Sequence, residues 1–447
     1  MSERVWGLAI YWGVWLILPV LVDGLTTLVQ LVLVVLRRWQ ARRQGPLPTD
    51  VAYRGISIVI PVYNGEATLG GCLESLRQQR YPQELLQVIV VDNGSTDRTR
   101  DVFEAQRQKP FRGQMHWISI AGRGKAYALN AGFHLAGYPY LCNIDADTVI
   151  HPDALYEMVR HFEANPRLGA ATGAIEVLPA DPNAGTQAFL IAECEFQEYL
   201  VAFWLGRQGQ TLNDSLFTLA GAFSFFRRDV LLKTELYDKQ TVSEDTDVTF
   251  DVRKRFGGER LACIPEAIVY VTPTPSWRAL YAQRVRWQRG QIEVAAVHQD
   301  LLDTSLFRWR GLALGRTLLI DHTFLFPRLT WSFLFPALIA LGYPLSLVVG
   351  AMLIIYLFYV LIAAVSTVAV YLIATDEIRR RLRANWWITL LMPAYRMLIF
   401  VYRLAGSIVA LAEPAEWRVR DPWSETVNAL GSFWRTAVRN LPFRRAR

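Results

Sequence analysis

The feature of this chain that most restricts its fold is a set of long apolar segments near its two ends. Pro344–Ala374 contains no charged residue, and Val5–Leu36 contains only Asp23. A helix needs roughly 20 apolar residues to cross a bilayer. We therefore predict an N-terminal transmembrane anchor over residues 1–44 and transmembrane helices over residues 328–412. A cleaved signal peptide is the alternative for the first segment, but the apolar run is too long and lacks a small-residue cleavage site.

Charge predicts on which side of the membrane the polar parts lie. The formal net charge is +7, and arginines follow two of the apolar segments: Arg37, Arg38, Arg42, Arg43, Arg379, Arg380, Arg381 and Arg383. By the positive-inside rule these flanks and the basic tail, residues 413–447, are expected in the cytosol. Trp386–Ala412 would carry the tail outside unless it bends at Pro393 or another segment is split, and the sequence leaves both open.

These features predict a multi-pass protein of the cell (plasma) membrane with its polar middle in the cytoplasm. Arginines beside apolar runs suit anionic lipid headgroups better than nucleic acid, so we expect the lipid bilayer as a partner and no nucleic acid. The four cysteines have no paired spacing, which favours reduced thiols.

The polar middle, residues 45–275, alternates strand and helix patterns. Ile56–Val62 and Leu86–Val91 are continuous apolar runs rich in β-branched residues, as in buried parallel strands. Helical periodicity follows each run, over Thr68–Gln79 and Thr96–Gln106. This alternation predicts an α/β domain with a parallel sheet and helices on its faces.

Two carboxylates follow the apolar strand pattern that begins at Leu141. Asp145 and Asp147 are two residues apart, and on an extended backbone such side chains point the same way. Hard oxygen ligands at a strand end suit Mg²⁺ or Mn²⁺, which keep open positions for phosphates. The alternative is an Asx turn with both carboxylates solvated.

Other polar residues are expected at the same edge of the sheet. Asn64 follows the first predicted strand and Asp92 the second, and ligands of such sheets bind beyond the carboxyl ends of the strands. Lys125 follows Gly122 and Gly124 and opens a helical pattern, an arrangement that holds an anion through backbone N–H groups and charge. An ordinary helix start with a solvated lysine explains Lys125 equally well.

Acidic and small residues recur further along the chain. Ser243 is expected as a helix N-cap, with Glu244 and Asp245 in the first turn. These two acids either take part in chemistry or only complement the helix dipole. Gly221, in an apolar stretch before them, would allow a ligand to approach the backbone closely.

An amphipathic helix is predicted over Trp277–Val297, within a stretch of interfacial helices at residues 276–327. Gln283, Arg286 and Trp287 have the spacing i, i+3 and i+4, so a helix places them on one face. Such a face can hold a diphosphate and stack on a sugar. The alternative is a helix that lies on the membrane surface.

In order and spacing, these motifs resemble those of the inverting glycosyltransferases of family two. The resembling set is Asp92, Asp145-X-Asp147, Glu244-Asp245 and Gln283-X-X-Arg286-Trp287. The closer resemblance is to the membrane-embedded branch with cellulose, chitin, hyaluronan and poly-N-acetylglucosamine synthases. It covers roughly Ser57 to Gly290 and the membrane segments on both sides. It implies a GT-A (Rossmann-like) cytosolic domain with a mixed, mainly parallel sheet, flanked by transmembrane and interfacial α-helices.

The resemblance also implies a role for each motif residue. A UDP-sugar would contact a set of polar side chains, namely Asn64, Asp92, Lys125, Asp145, Gln283 and Arg286. Mg²⁺ or Mn²⁺ would bind Asp147 and Asp145, and Asp245 would be the general base, with Glu244 beside it. Trp287 and Gly221 would line the acceptor site. The family often has Asp where this chain has Asn93, and Thr where it has Ser243, which leaves the transferred sugar in doubt.

The function these features favour is processive synthesis of a β-linked polysaccharide from a UDP-sugar, coupled to export through the membrane helices. The alternative is transfer of one sugar to a membrane lipid, because ceramide glucosyltransferases look similar in the same motifs. A non-catalytic membrane receptor is disfavoured, because every carboxylate that the chemistry needs is present. The expected partners are a UDP-sugar donor, a glycan or glycolipid acceptor and the bilayer, and the sequence leaves open an accessory membrane subunit.

Overall fold

The computed structural model describes residues 51–121, 124–238, 243–257, 260–298 and 334–412, with a few positions within 24–36 and 426–431. Several predictions from sequence therefore lie wholly or mostly outside the described residues. They concern the N-terminal anchor, the glycine and arginine just before Gly124, the interfacial stretch after residue 298, and the basic tail.

Parallel strands form one half of an eight-stranded sheet, in the order β3-β2-β1-β4. These strands are β1 (Ile56–Val62), β2 (Leu86–Asp92), β3 (Gln114–Ser119) and β4 (Tyr140–Ile144). The helices between them are α1 (Leu69–Arg77), α2 (Thr99–Arg107) and α3 (Lys125–Leu135). Every residue of β1 is buried, as expected for an apolar run in a sheet that is covered on both faces. The strand–helix alternation predicted from the sequence is confirmed here.

The other half of the sheet is mixed and continues in the order β7-β6-β8-β5. β7 runs antiparallel to β4 and β6, β5 runs antiparallel to β8, and β6 is parallel to β8. The elements are β5 (Val149–Ile150), α4 (Ala154–Ala164), β6 (Ala170–Val177), α5 (Gly185–Val201), α6 (Gln208–Leu212), β7 (Phe223–Arg227), α7 (Arg228–Leu231), α8 (Glu244–Phe256) and β8 (Leu261–Val271). The sheet is thus mixed and mainly parallel, as the resemblance implied.

A turn of π-helix, Ala202–Arg207, joins α5 to α6. Such turns widen a helix locally and often occur at functional sites. At its end the Arg207 guanidinium carbon lies 4.3 Å from the centre of the Phe203 ring. The end of this helical segment therefore holds a half-buried cation against an aromatic ring.

Long helices follow the sheet: α9 (Trp277–Val297), α10 (Leu345–Ile373), α11 (Asp376–Ala384) and α12 (Ile388–Ala412). In the described part of the chain, two stretches are long and apolar enough to cross a membrane. They are Leu345–Ile373, with a mean hydropathy of 2.7, and Ile388–Ala410, with 1.4. α12 continues through Pro393 as one helix.

Helix α12 packs directly on α9. A Cβ atom added to Gly406 of α12 would lie 2.8 Å from the carbonyl oxygen of Val285 in α9. The rings of Tyr281 and Tyr402 meet edge to face nearby, with 5.1 Å between their centres. The helix that carries Gln283, Arg286 and Trp287 is therefore in contact with a candidate membrane span.

One buried acid predicts how stability depends on pH. Glu176, on β6, is 6% exposed. Burial and the nearby Glu377, opposed by Arg381, together raise the pKa of Glu176 from 4.5 to about 7. Because the pKa of Glu176 is higher in the folded protein than in the unfolded chain, its contribution to stability is fully present below pH 4.5. This contribution is lost as the pH rises from 4.5 through about 7. The loss is at most about 3 kcal/mol. We expect Glu176→Gln to raise the unfolding temperature near pH 8, with far less effect near pH 5.

The matched control for this prediction is Glu235→Gln, because the Glu235 side chain is 83% exposed. Thermal unfolding of both variants in detergent, followed at the two pH values, separates burial from a general charge effect. Equal responses of the two variants at both pH values would contradict the prediction.

Candidate active site

Several polar side chains predicted from the sequence lie at one edge of the sheet. β1, β2 and β4 are parallel neighbours, so their carboxyl ends meet at this edge. Asn64 follows β1, Asp92 ends β2, and Asp145 follows β4 directly. The structure therefore brings together residues that the sequence separates by about 80 positions.

The loops after β1 and β2 are joined by hydrogen bonds that involve two of these residues. Asn64 has a left-handed backbone with φ of 51°, and its side-chain oxygen accepts a hydrogen bond of 2.8 Å from the Thr96 N–H. Asp92 Oδ1 accepts one of 2.9 Å from the Ser95 N–H. Both side chains thus fix the shape of the loops, and the Asn64 oxygen in particular is occupied by the protein itself.

Lys125 connects the end of β4 to the start of α8. Its ammonium group lies 2.6 Å from Asp145 Oδ1 and 3.4 Å from Glu244 Oε1. Burial lowers the pKa of Lys125, but the neighbouring carboxylates outweigh burial and raise it above its ordinary value. The amine is therefore held charged. The sequence predicted the helix start at Lys125 but not these two partners.

Asp245 lies beside the same ammonium group. Its Oδ2 accepts a hydrogen bond of 3.0 Å from the Gly221 N–H, and its Oδ1 accepts one of 2.8 Å from the Thr246 N–H. A Cβ atom at Gly221 would lie 3.2 Å from Asp245 Oδ2 and 3.3 Å from Lys125 Nζ. A side chain here would press on both polar groups, so glycine lets them approach the backbone closely. Burial raises the pKa of Asp245, whereas Lys125 lowers it.

The helix α9 presents the predicted face of Gln283, Arg286 and Trp287. Arg286 is exposed and the other two are half-buried. The Gln283 Oε1 atom is buried and has no hydrogen-bond partner among the described residues. A buried polar atom of this kind usually bonds to a ligand or to water.

Helix α9 also contacts the residue that precedes the two acids. A Cβ atom at Gly290 would lie 2.0 Å from Ser243 Oγ. Ser243 is the N-cap residue of α8, as predicted, but its side chain makes no capping hydrogen bond. The start of α8, with Glu244 and Asp245, is therefore packed directly against α9.

The comparison that decides the family covers β1, β2, β4 and Lys125 and ends before α8 and α9. Residues 57–234 match the family described as Glycosyl transferase family 2. The domain belongs to glycosyltransferase family 2. The resemblance recognised in the sequence motifs is thereby confirmed at the level of the family, whose enzymes use nucleotide sugars.

Curated relatives of this chain include polysaccharide synthases. It is 30% identical over 242 residues to a poly-beta-1,6-N-acetyl-D-glucosamine synthase from Staphylococcus epidermidis, and these residues cover 54% of this chain and 55% of that one. It is 28% identical over the same length to the synthase of that name from Staphylococcus aureus strain COL. The chain thus spans about half the length of these relatives.

A solved structure supports the fold of the family 2 domain. The structure is a mannosyltransferase from Pyrobaculum calidifontis in complex with GDP-Man and Mn²⁺, and it superposes with a TM-score of 0.52 at 18% sequence identity. The superposition covers 88% of this chain and 98% of that one. At this identity the likeness concerns the fold, a mixed sheet with helices on its faces.

The donor set of the family 2 domain fits a hard divalent cation. Asp147 is exposed at the edge of the sheet, two residues after Asp145. Within the part of the chain that the structure describes, no three His, Cys, Asp or Glu side chains are grouped to hold a metal by themselves. Mg²⁺ and Mn²⁺ usually take one or two carboxylates and complete their shell with waters and phosphates. Two carboxylates at a phosphate site are therefore sufficient.

The surroundings of Asp147 are consistent with a site for a phosphate-bound cation. Partial burial of the carboxylate and the Asp145 charge raise the pKa of Asp147, whereas Lys125 and Arg286 lower it. Arg286 of α9 is thus close enough to act on the Asp147 carboxylate. The nearest histidine in the sequence, His151, contacts other residues: its ring faces Tyr270 at 6.3 Å between centres, and its Nδ1 accepts a hydrogen bond from the Asp153 N–H.

Two cations near the site, the half-buried Arg207 and the buried Arg284, were missed in the sequence. Arg207, at the end of the π turn, lowers the pKa of Asp245. Arg284 lies under Trp287, with 4.5 Å from its guanidinium carbon to the ring centre. The i, i+3 spacing of Arg284 and Trp287 on one helix face was the signal that could have found the second cation. Nothing in the pattern around Arg207 indicated its position.

Proposed function

We propose that this chain is an inverting glycosyltransferase that adds sugars from a UDP-sugar to a growing β-linked polysaccharide. The observation that carries the proposal is the ammonium group of Lys125, which joins the strand-end carboxylate Asp145 to the helix-start carboxylate Glu244. This contact supports the proposal because it joins the sheet edge, at Asp145, to the first turn of α8, at Glu244, within a few ångströms. The names of the curated relatives make N-acetylglucosamine the leading sugar, with glucose next.

The donor half of the site has to stabilise negative charge on the departing diphosphate. In the proposal Asp147, with help from Asp145, would hold Mg²⁺ or Mn²⁺, and the bound cation would supply positive charge against the phosphates. Arg286 and Gln283 contact the diphosphate from α9. When the nucleotide binds, the Lys125 ammonium group moves from Asp145 towards the diphosphate. Asn64 and Asp92 shape the loops around the uridine.

The acceptor half of the site has to remove a proton from the attacking hydroxyl. In the proposal Asp245 is the general base, since its carboxylate is held by the N–H groups of Gly221 and Thr246. Burial raises its pKa, which makes the carboxylate a better proton acceptor. Glu244 keeps Lys125 in place, and Trp287 forms the floor on which the acceptor sugar stacks.

The membrane part of the proposal rests on α10 and α12. Both are candidate spans, and α12 packs on the helix that carries Trp287. We place the enzyme in the cell membrane with its catalytic domain in the cytoplasm, so that a growing chain passes from Trp287 into the membrane helices. We also keep the proposed division into an anchor (1–44), a catalytic domain (45–275), interfacial helices (276–327), transmembrane helices (328–412) and a cytosolic tail (413–447).

Product size tests this proposal against its alternative. Membranes from cells that express the protein are incubated with radiolabelled UDP-N-acetylglucosamine, UDP-glucose and other UDP-sugars, and the products are sized on gels and by mass spectrometry. A ladder or polymer from one sugar supports processive synthesis. A single glycolipid product would replace it with transfer to a lipid, and no transfer from any UDP-sugar would refute both.

A further inference from the structure

Arg284 is a nearly completely buried cation between Gln283 and Arg286. Its side chain is 2% exposed, and its guanidinium lies 2.8 Å from Glu198 Oε2 and 3.5 Å from Glu195 Oε1. A charge removed from water requires such partners, because its desolvation is otherwise costly. Both carboxylates belong to α5 in the glycosyltransferase domain. Helix α5 therefore fixes where the Arg284 side chain can lie.

The position of Arg284 in turn determines the position of Trp287. The guanidinium carbon lies 4.5 Å from the centre of the Trp287 ring, in the range of a cation–π contact. Because the guanidinium is planar and already held by two carboxylates, it acts as a fixed surface against the ring. The Trp287 side chain is half-buried, so part of the ring stays accessible to a sugar.

Glu198 connects this pair to the candidate membrane span α12. The same Glu198 Oε2 atom that faces Arg284 accepts a hydrogen bond of 2.8 Å from the Tyr395 hydroxyl. Tyr395 is 4% exposed and lies within the span Ile388–Ala410. One carboxylate oxygen is thus shared by a membrane helix and by the cation under Trp287.

Further contacts hold α5 to the C-terminal helices along the same side. Glu193 Oε2 accepts a hydrogen bond of 2.9 Å from the Asn385 side chain, and Gln197 Oε1 accepts one of 3.2 Å from the Thr389 hydroxyl. The hydrogen bonds of Glu193 and Gln197 join α5 to the C-terminal helices but involve no residue of α9. The Glu198 carboxylate, in contrast, contacts both Tyr395 of α12 and Arg284 of α9.

We propose that Tyr395, Glu198 and Arg284 form a relay that positions Trp287 for the acceptor sugar. Through the relay, the position of the ring depends on the membrane helix α12. The inference rests on the proposed function, because it takes Trp287 as the acceptor floor. None of the three residues touches the sugar, so all three are positioning residues. A displacement of α12 changes the hydrogen bond on Glu198, which shifts Arg284 and then the ring.

The relay is tested by removing one hydroxyl group from α12. Full-length protein in lipid nanodiscs receives UDP-N-acetylglucosamine as the donor and a β-1,6-linked N-acetylglucosamine trisaccharide as the acceptor. For Tyr395→Phe we expect the KM for the trisaccharide to rise about tenfold, the typical effect of losing a hydrogen bond to a charged group. We expect kcat and the release of UDP to water without acceptor to stay unchanged, because the donor site is untouched.

Tyr402→Phe is the matched control, since it removes a hydroxyl group from the same helix two turns away. Tyr402 packs on Tyr281 and is not in the relay, so its KM for the trisaccharide should equal that of the wild type. Glu198→Gln, which keeps an acceptor for Tyr395 but removes the charge facing Arg284, should raise KM as well.

Two results would overturn the relay alone. One is a wild-type KM in Tyr395→Phe. The other is an equal loss of kcat, acceptor binding and UDP release to water together with a lower unfolding temperature, which indicates a merely structural role. Wild-type protein that releases no UDP from any UDP-sugar would instead refute the proposed function, and the relay with it.

Discussion

Asp245→Asn should reduce sugar transfer by about 10²- to 10⁴-fold while UDP binding is retained. General base catalysis typically contributes a factor of this size, and asparagine cannot accept the proton of the attacking hydroxyl. Its side-chain oxygen can still accept a hydrogen bond from the Gly221 or Thr246 N–H, the two donors that hold the carboxylate now. The start of α8 should therefore keep its shape. Transfer is measured with radiolabelled UDP-sugar, and UDP affinity by calorimetry.

Glu244→Gln is the matched control for Asp245→Asn, because it neutralises the neighbouring acid of the same helix turn. Glu244 lies 3.4 Å from the Lys125 ammonium group, so we expect its variant to affect donor binding more than the chemical step. Near-normal transfer in Asp245→Asn with a loss in Glu244→Gln would mean that the two acids have exchanged roles. Transfer that survives in both variants would place the base elsewhere.

Asp147→Ala should reduce turnover at least about a hundredfold, because the proposed cation loses a ligand at the point where negative charge develops. For the same reason, excess EDTA should stop the wild-type enzyme, and added Mn²⁺ or Mg²⁺ should restore it. Asp145→Ala should weaken nucleotide binding as well, since Asp145 also pairs with Lys125 at 2.6 Å. Turnover and UDP affinity are measured over a series of metal concentrations.

Asp153→Ala is the control for removal of a carboxylate six positions after Asp147 in the chain. Asp153 pairs with Arg80 at 3.0 Å and not with the residues of the donor edge, so this variant should keep the metal dependence of the wild type. Full wild-type activity in excess EDTA would contradict the metal role of Asp145 and Asp147.

Local sequence patterns predicted the elements that build the site. β1 was predicted at Ile56–Val62 and α9 at Trp277–Val297, and the structure has both with these bounds. The residues of each element carry its signal: β1 is a run of apolar, β-branched residues, and α9 has the periodicity of an amphipathic helix. The carboxyl-end rule for parallel sheets then placed Asn64, Asp92 and Asp145 at one edge.

Some strands were not predicted. β3 and β6 have weak local patterns, and their identity depends on which neighbours they pair with. β8 was missed although its end, Ile268–Val271, is itself an apolar run rich in β-branched residues. The contacts of Lys125 with Asp145 and Glu244 join three distant segments, and no spacing rule predicts such contacts. Arg284 and Glu198 are 86 positions apart in the chain. The partner of Arg284 can therefore be identified only once α5 and α9 are packed together.

The central claim is that this chain transfers a sugar from a UDP-sugar with inversion at the anomeric carbon. The most direct test is proton NMR of the product that the purified full-length protein forms from UDP-N-acetylglucosamine with Mn²⁺ or Mg²⁺. UDP-sugars carry their sugar in the α configuration, so our account predicts a β anomeric signal in the product and stoichiometric release of UDP. An α-linked product would contradict inversion, and no release of UDP from this or any other UDP-sugar would contradict the claim as a whole.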